Sequence, residues 1–224
     1  MTSIDFDFGR YIAARRGEVQ QRARDGAAYS YSGERKVRRA LQSARPVILA
    51  LEATSKTWRK RGRTELLDGA TLVTDEKYSE VFRAGATASR VLALEPPSIY
   101  VTEGDFPLSA RALGTDDDAY VIIAKPLVDL LSPEELVAVI GHELGHIQNN
   151  HILYTTALFY LRHSAAMFVR WIVQPAIMAL QAWSRRAEVT CDRAALLCTR
   201  DVDTALRALV KAALAEQGKT CLLY

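Results

Sequence analysis

The sequence predicts a mostly helical α+β chain, and three observations carry that prediction. Residues 10–24 and 34–63 are Arg-rich and helix-favouring. Two short β-like runs, SIYV at 98–101 and AYVII at 119–123, precede a helix instead of alternating with helices. That helix, opening near Ser132, has the clearest start signal in the chain: Ser132 to cap it, Pro133 at its first position and Glu135 where a capping box places a carboxylate.

Taken in order, the first helical stretches are split by the turn-like GAAYSYSG, and Pro46 is expected to break or kink the second. The apolar VILALEA that follows reads as buried. Asp68-Gly69 reads as a turn leading into a short strand, Ala70 to Thr74. DEKYSEVFRAGATASRVLAL reads as a helix with Asp75 as its N-cap, an apolar stripe at Val81, Phe82, Ala88, Val91 and Leu92, and Pro96-Pro97 as its stop. After Ser132, residues Leu136, Val137, Val139, Ile140, Leu144 and Ile147 supply apolar faces at helical spacing. The chain is accordingly divided into a basic helical extension, 1–63, and a second domain, 64–224, which holds the chemistry-bearing motifs.

Composition excludes several classes. With 49% hydrophobic and 25% charged residues over 224 positions, collagen-like and wholly disordered chains are ruled out. The three cysteines form no CxxC pair, which argues against a disulfide framework and for a reducing compartment. The N-terminus carries acids and no apolar core of a secretory signal. In the stretch 152–184 the longest uncharged run is Trp171 to Ser184, 14 residues with two Gln and a Pro. A spanning helix needs about 20 apolar residues, so at most peripheral membrane contact and a cytoplasmic location are expected. Residues 1–63 hold 15 Lys/Arg against 6 Asp/Glu, a net +9, while 64–224 hold 14 against 20, a net −6. The arm has no recognised nucleic-acid motif, so it reads as a solvated helical face or as an arm docked on the acidic half of its own chain, and no nucleic-acid partner is expected. Oligomeric state is left open.

The chemistry lies in HELGH, residues 142–146. On a helix, His142 and His146 are one turn apart on one face and can grip the same zinc ion. Glu143 reaches the same side without taking a coordination position, as a base for water requires. With 4 His and 13 Glu in the chain, chance would produce the pattern about 0.004 times, so it is specific. A third ligand is needed. The spacing that supplies a histidine six residues past His146 fails, because Asn149 and Ile152 occupy the two diagnostic places. A carboxylate from a second helix is the other solution, and AWSRRAEVTCDRAALL offers Glu188 and Asp192, four apart on one face. Glu188 would bind zinc, and Asp192 would fix the tautomer of a ligand histidine.

These pieces resemble the HtpX-like gluzincin metallopeptidases, the group that includes the CAAX-prenyl proteases. The resemblance rests on VIIAKPLVDLLSPEELVAVIGHELGHIQNNH and AWSRRAEVTCDRAALL, with looser matches at DGATLVTDEKYSEVFRAGA and PPSIYV, and covers roughly residues 66–200. It implies a zincin-like fold with a small sheet, an HExxH helix and an ExxxD helix. It also implies a zinc endopeptidase acting on polypeptides, with one zinc per chain on His142, His146 and Glu188, Glu143 as base and Asp192 as orienter. PLSARALG stands where the family carries an Asn-Ala-aromatic-Ala strand motif, and the residue that stabilises the oxyanion has no clear owner.

His151, Tyr154 and Arg185 are candidates for contacts to a substrate or transition state, with packing or surface charge as the alternative for each. Cys191 reads as an inert buried thiol, and Trp171, Met178 and Trp183 read as core. Two alternatives stand beside the active peptidase. One is a latent form, with the basic arm or the apolar CLLY tail in the cleft, the tail lying along an edge strand at Tyr120 to Ile123. The other is a catalytically silent, zinc-stabilised binding module, against which the intact Glu143 speaks.

Overall fold

A computed structural model describes residues 27–43, 47–49, 51, 67–103, 110–115, 118–163 and 167–220. The expectations for residues 10–24, Pro46 and the CLLY tail lie outside the described residues. Among those described, helix α1 spans Ser32–Ser43, strand β1 Ala70–Leu72, helix α2 Ser79–Leu92, and strands β2, β3 and β4 Ser98–Thr102, Ala110–Thr115 and Asp118–Ala124. Helices α3 (Lys125–Leu130), α4 (Pro133–Gln148), α5 (Ile152–His163), α6 (Met167–Thr199) and α7 (Val202–Thr220) follow. The chain is mostly helical around one small mixed sheet.

The sheet order is β1-β2-β4-β3, with β2 and β4 parallel and the outer pairings antiparallel. Tyr120 to Ala124 are buried throughout, as a strand covered on both faces requires. That placement corrects the expectation of an edge at Tyr120 to Ile123. The run is apolar because β4 is flanked by β2 and β3, and the edge belongs to β3, whose SARALG sequence carried too weak a β-pattern to be read as a strand. One face of the sheet packs Val101, Ala112, Val121 and Ile123 with Val81, Ala84 and Ala88 of α2 and Leu136, Ile140 and Leu144 of α4. The other face packs Leu113, Tyr120 and Ile122 with Phe159 of α5. A further cluster joins Leu41 and Val47 to Leu158 of α5 and Leu180 and Trp183 of α6.

Helix α2 starts later than expected. The Thr74 hydroxyl accepts the Lys77 N–H, and the Thr74 N–H bonds the Lys77 carbonyl. Asp75 is therefore inside a closed turn and not at the cap, and Tyr78 in the left-handed region precedes the helix. Helix α4 begins as its sequence dictates: the Ser132 side chain accepts from the Glu135 N–H and the Glu135 carboxylate accepts from the Ser132 N–H. Glu135 also pairs with Lys211 of α7 at 2.7 Å.

Helices α4 and α6 cross closely because the residues between them are small. A Cβ on Gly145 would lie 2.9 Å from Ala194 Cβ and 3.1 Å from Cys191 Cα, and one on Gly141 would lie 2.8 Å from Cys198 Sγ. Met178 is exposed, not core, whereas Trp183 is fully buried. No helix among the described residues is long and apolar enough to cross a membrane. The N-terminal segment is stitched onto this frame. The Ala27 N–H donates to Asn149 Oδ1, the Tyr29 hydroxyl to Gln148 Oε1, and the Tyr31 N–H to Thr190 Oγ1. Residues 27–31 are thus hydrogen-bonded to the C-terminal end of α4 and to α6.

Candidate metal centre

Helix α4 carries HELGH in its last two turns, and α6 crosses it so that Glu188 and Asp192 face the two histidines. Glu188 Oε2 lies 3.1 Å from His142 Nε2 and 3.9 Å from His146 Nε2. Asp192 Oδ1 lies 3.1 Å from His142 Nδ1, in charge contact but not an aligned hydrogen bond. The Ser184 hydroxyl donates to Glu188 Oε1 at 3.5 Å. Two imidazoles and a carboxylate on two rigid helices are a donor set suited to zinc, which takes nitrogen and oxygen ligands and leaves a further position open. Ligand atoms of His142, His146 and Cys191 also lie within 4.8 Å of one another. The Cys191 thiol is pushed well up by burial and by the surrounding carboxylates, so it stays protonated while Glu188 stays ionised. Glu188 is the better third donor on those grounds.

Electrostatics separates the two histidines. Burial disfavours charge on His142, but the adjacent Asp192 and Glu188 carboxylates overcome it and raise the ring to about 10. His146 is held well below its ordinary value, chiefly by burial. Glu188 is lowered against its burial by His142 and His146. Glu143 is buried and its carboxyl is raised by that burial, against the pull of His142 and Arg111. Its Oε2 accepts the Ala112 N–H of β3 at 2.6 Å, which ties the edge strand to the carboxylate.

The profile of peptidase family M48 matches residues 74–221. The chain belongs to that family. Among curated proteins the chain is 30% identical over 152 residues to the Plastoglobule-localized metallopeptidase 48, chloroplastic, of Arabidopsis thaliana, covering 66% of this chain and 44% of that one. It is 31% identical over 85 residues to a Protease HtpX homolog of Methanocaldococcus jannaschii (38% and 30%), and 34% identical over 79 residues to Protease HtpX homolog 1 of Sulfurisphaera tokodaii (35% and 25%). The chain therefore spans less than half the length of these relatives. No solved structure matches it.

Of the remaining site candidates, two are buried and one is exposed. His151 is fully buried on the Nδ1 side of the His146 ring, so it does not face a substrate. Tyr154 is buried with its ring 5.0 Å from Trp183, and Arg185 is exposed. Two residues were missed. Arg111 on β3 exerts its charge on Glu143, Glu188 and His146, and its buried Nε has no hydrogen-bond partner among the described residues. Glu34, in the basic arm, is buried behind His151. Only its helical offset of four from Arg38 gave any signal in the sequence.

Proposed function

We propose that this chain is a zinc-dependent endopeptidase that hydrolyses peptide bonds through water. The observation that supports it best is the approach of His142 Nε2 and His146 Nε2 to Glu188 Oε2, at 3.1 and 3.9 Å, with Glu143 alongside on the histidines' helix. His142, His146 and Glu188 would hold the zinc, which supplies Lewis acidity and makes bound water acidic near neutral pH. Asp192 holds the His142 ring by its Nδ1, leaving Nε2 to the cleft.

Glu143 takes the proton from the attacking water and then delivers it to the leaving amine nitrogen. Its burial supports this role, since a raised carboxyl is a better proton carrier than an ordinary one. Strand β3 offers an edge along which an extended polypeptide could align, with Ala112 adjacent to the base. Arg111, on the same strand, is positioned to oppose negative charge developing at the scissile carbonyl, a role the sequence left without an owner.

The test pairs metal analysis with cleavage of an unstructured protein such as casein. Wild-type protein should retain about one zinc per chain and cleave, and Glu143→Gln should retain zinc and lose cleavage. Absence of zinc after repletion at neutral pH, or near-normal cleavage by Glu143→Gln, would refute the reading.

A further inference from the structure

A chain of buried polar groups runs from the N-terminal helix to the back of His146. Glu34, in the first turn of α1, has a side chain 1% exposed. Its Oε1 accepts the Trp183 indole N–H at 3.1 Å and lies 3.5 Å from His151 Nε2, a long contact. Arg38, one turn on, places Nε 3.8 Å from the same oxygen and donates from its guanidinium to the Asn149 carbonyl at 2.6 Å. His151 has no exposed surface, and its Nδ1 stands 3.2 Å from Nδ1 of His146. The Cys191 sulfur lies 3.8 Å from that same His151 nitrogen. The Trp183 ring closes the far side, edge-on to His151 with centroids 5.2 Å apart.

The donors, acceptors and charges in this chain favour one order of protons. Two imidazole Nδ1 atoms at hydrogen-bond distance share one proton, so one ring must donate and the other accept. The Glu34 carboxylate, 3.5 Å from His151 Nε2 without an aligned hydrogen bond, favours the His151 proton on that nitrogen through its negative charge. His151 Nδ1 is then bare, an acceptor for the Cys191 thiol on one side and for His146 on the other. His146 must therefore carry its proton on Nδ1, which leaves its Nε2 lone pair facing Glu188.

We propose that helix α1 sets the metal-facing tautomer of His146, with Glu34 acting through His151 as a positioning residue. This deepens the metallopeptidase reading and rests on it for the identity of the ligand. It gives the N-terminal segment a supporting role behind the site, where the latent form would have placed it in front. Reversing the order, with His151 protonated on Nδ1, would put the His146 proton on Nε2 and block ligation. Loss of the carboxylate permits that reversal.

The experiment compares full-length wild type with Glu34→Leu and Glu34→Gln. Zinc affinity is measured by competition with a chelator, and the histidine tautomers of metal-free protein are read by long-range 1H–15N correlation. Glu34→Leu is expected to bind zinc about 10–100-fold more weakly, as loss of outer partners of a ligand histidine does. Glu34→Gln keeps an acceptor oxygen for His151 and should lie within about threefold of wild type, a rescue that loss of packing would not show. Wild-type metal-free protein should show His146 protonated on Nδ1 and His151 on Nε2. The opposite tautomers, or wild-type zinc affinity in Glu34→Leu, overturn the proposal. Should Glu34→Leu fail to fold, the wild-type tautomers alone decide it. A wild-type protein that shows the expected tautomers but takes no zinc refutes the peptidase reading and leaves the tautomer order standing.

Discussion

Replacing Gly145 by Ala tests whether the close crossing of α4 and α6 builds the metal centre. The added methyl would sit 2.9 Å from Ala194 Cβ, 3.1 Å from Cys191 Cα and 3.4 Å from Cys191 Cβ. One of those atoms is main chain, so α6 itself must yield. Helix propensity favours Ala over Gly by about 1 kcal/mol, while overpacking of this kind costs about 1–3 kcal/mol. The net is a destabilisation between about zero and 2 kcal/mol, or at most about 8 °C in melting temperature for a chain of this size. The metal feels more than the fold does. Cys191 is three residues past Glu188, so a shift of α6 at Cys191 carries Glu188 away from His142 and His146. A tenfold or greater loss of zinc affinity in chelator competition is expected, against a melting point nearly unchanged. Gly141→Ala is the control. Its methyl meets mainly the Cys198 side chain, with Sγ at 2.8 Å, and the nearest main-chain atom, Ala195 Cα, lies 3.5 Å away and about two turns beyond Glu188. It should disturb zinc binding much less. If Gly145→Ala binds zinc as tightly as wild type, the small residues are not what positions Glu188.

Asp192→Asn should weaken zinc binding about 10–100-fold while the protein stays folded, measured by the same competition. Zinc binding at pH 8 should release about one proton from His142, since its metal-free value lies at about 10 and ligation requires the neutral ring. Calorimetry in buffers of different ionisation heat measures that proton, and the release should vanish above about pH 10. The sign for metal-free stability follows: a value raised above the ordinary 6.5 contributes stability that is complete below pH 6.5 and is lost as pH rises through about 10. Thermal melts of metal-free protein across that window test it. Ser132→Ala removes the acceptor for the Glu135 N–H and should cost about 1 kcal/mol in a melt, with zinc affinity unchanged.

The parts of the fold that were legible in the sequence are those specified locally. The capping box at Ser132 and the helix it opens follow from side chains within four residues of one another. The same is true of the spacing that puts His142 and His146 on one face and Glu188 and Asp192 on another. What local pattern could not give is the pairing between elements. Strand β3 is short and built on Ala, Arg and Gly, and it becomes a strand because β4 offers it partners from Ala110↔Ile123 to Thr115↔Asp118. Gly141 and Gly145 read only as residues within a motif until α6 is laid across them. Glu34 was hidden for a further reason. A charged residue in a basic helix is expected to be solvated, and its burial depends on an indole N–H and an imidazole contributed 149 and 117 positions later. Arg111 was hidden in the same way, in a segment noticed for the motif it lacks.

The outer edge of β3 is already partly occupied. The Thr156 hydroxyl accepts the Gly114 N–H and donates to the Gly114 carbonyl, each at 3.3 Å, while Glu143 takes the Ala112 N–H. A peptide aligning there competes for groups that are in use and gains few main-chain bonds, so the strand confers little grip on any one sequence. For a peptidase built this way, choice of target passes from the enzyme to the target. A segment would then be cut to the extent that it can leave its own fold and lie extended, and cleavage would track the population of the opened form. Under the peptidase reading proposed above, each 1.4 kcal/mol by which a target is weakened would multiply its cleavage about tenfold, and discrimination among proteins would follow their stability.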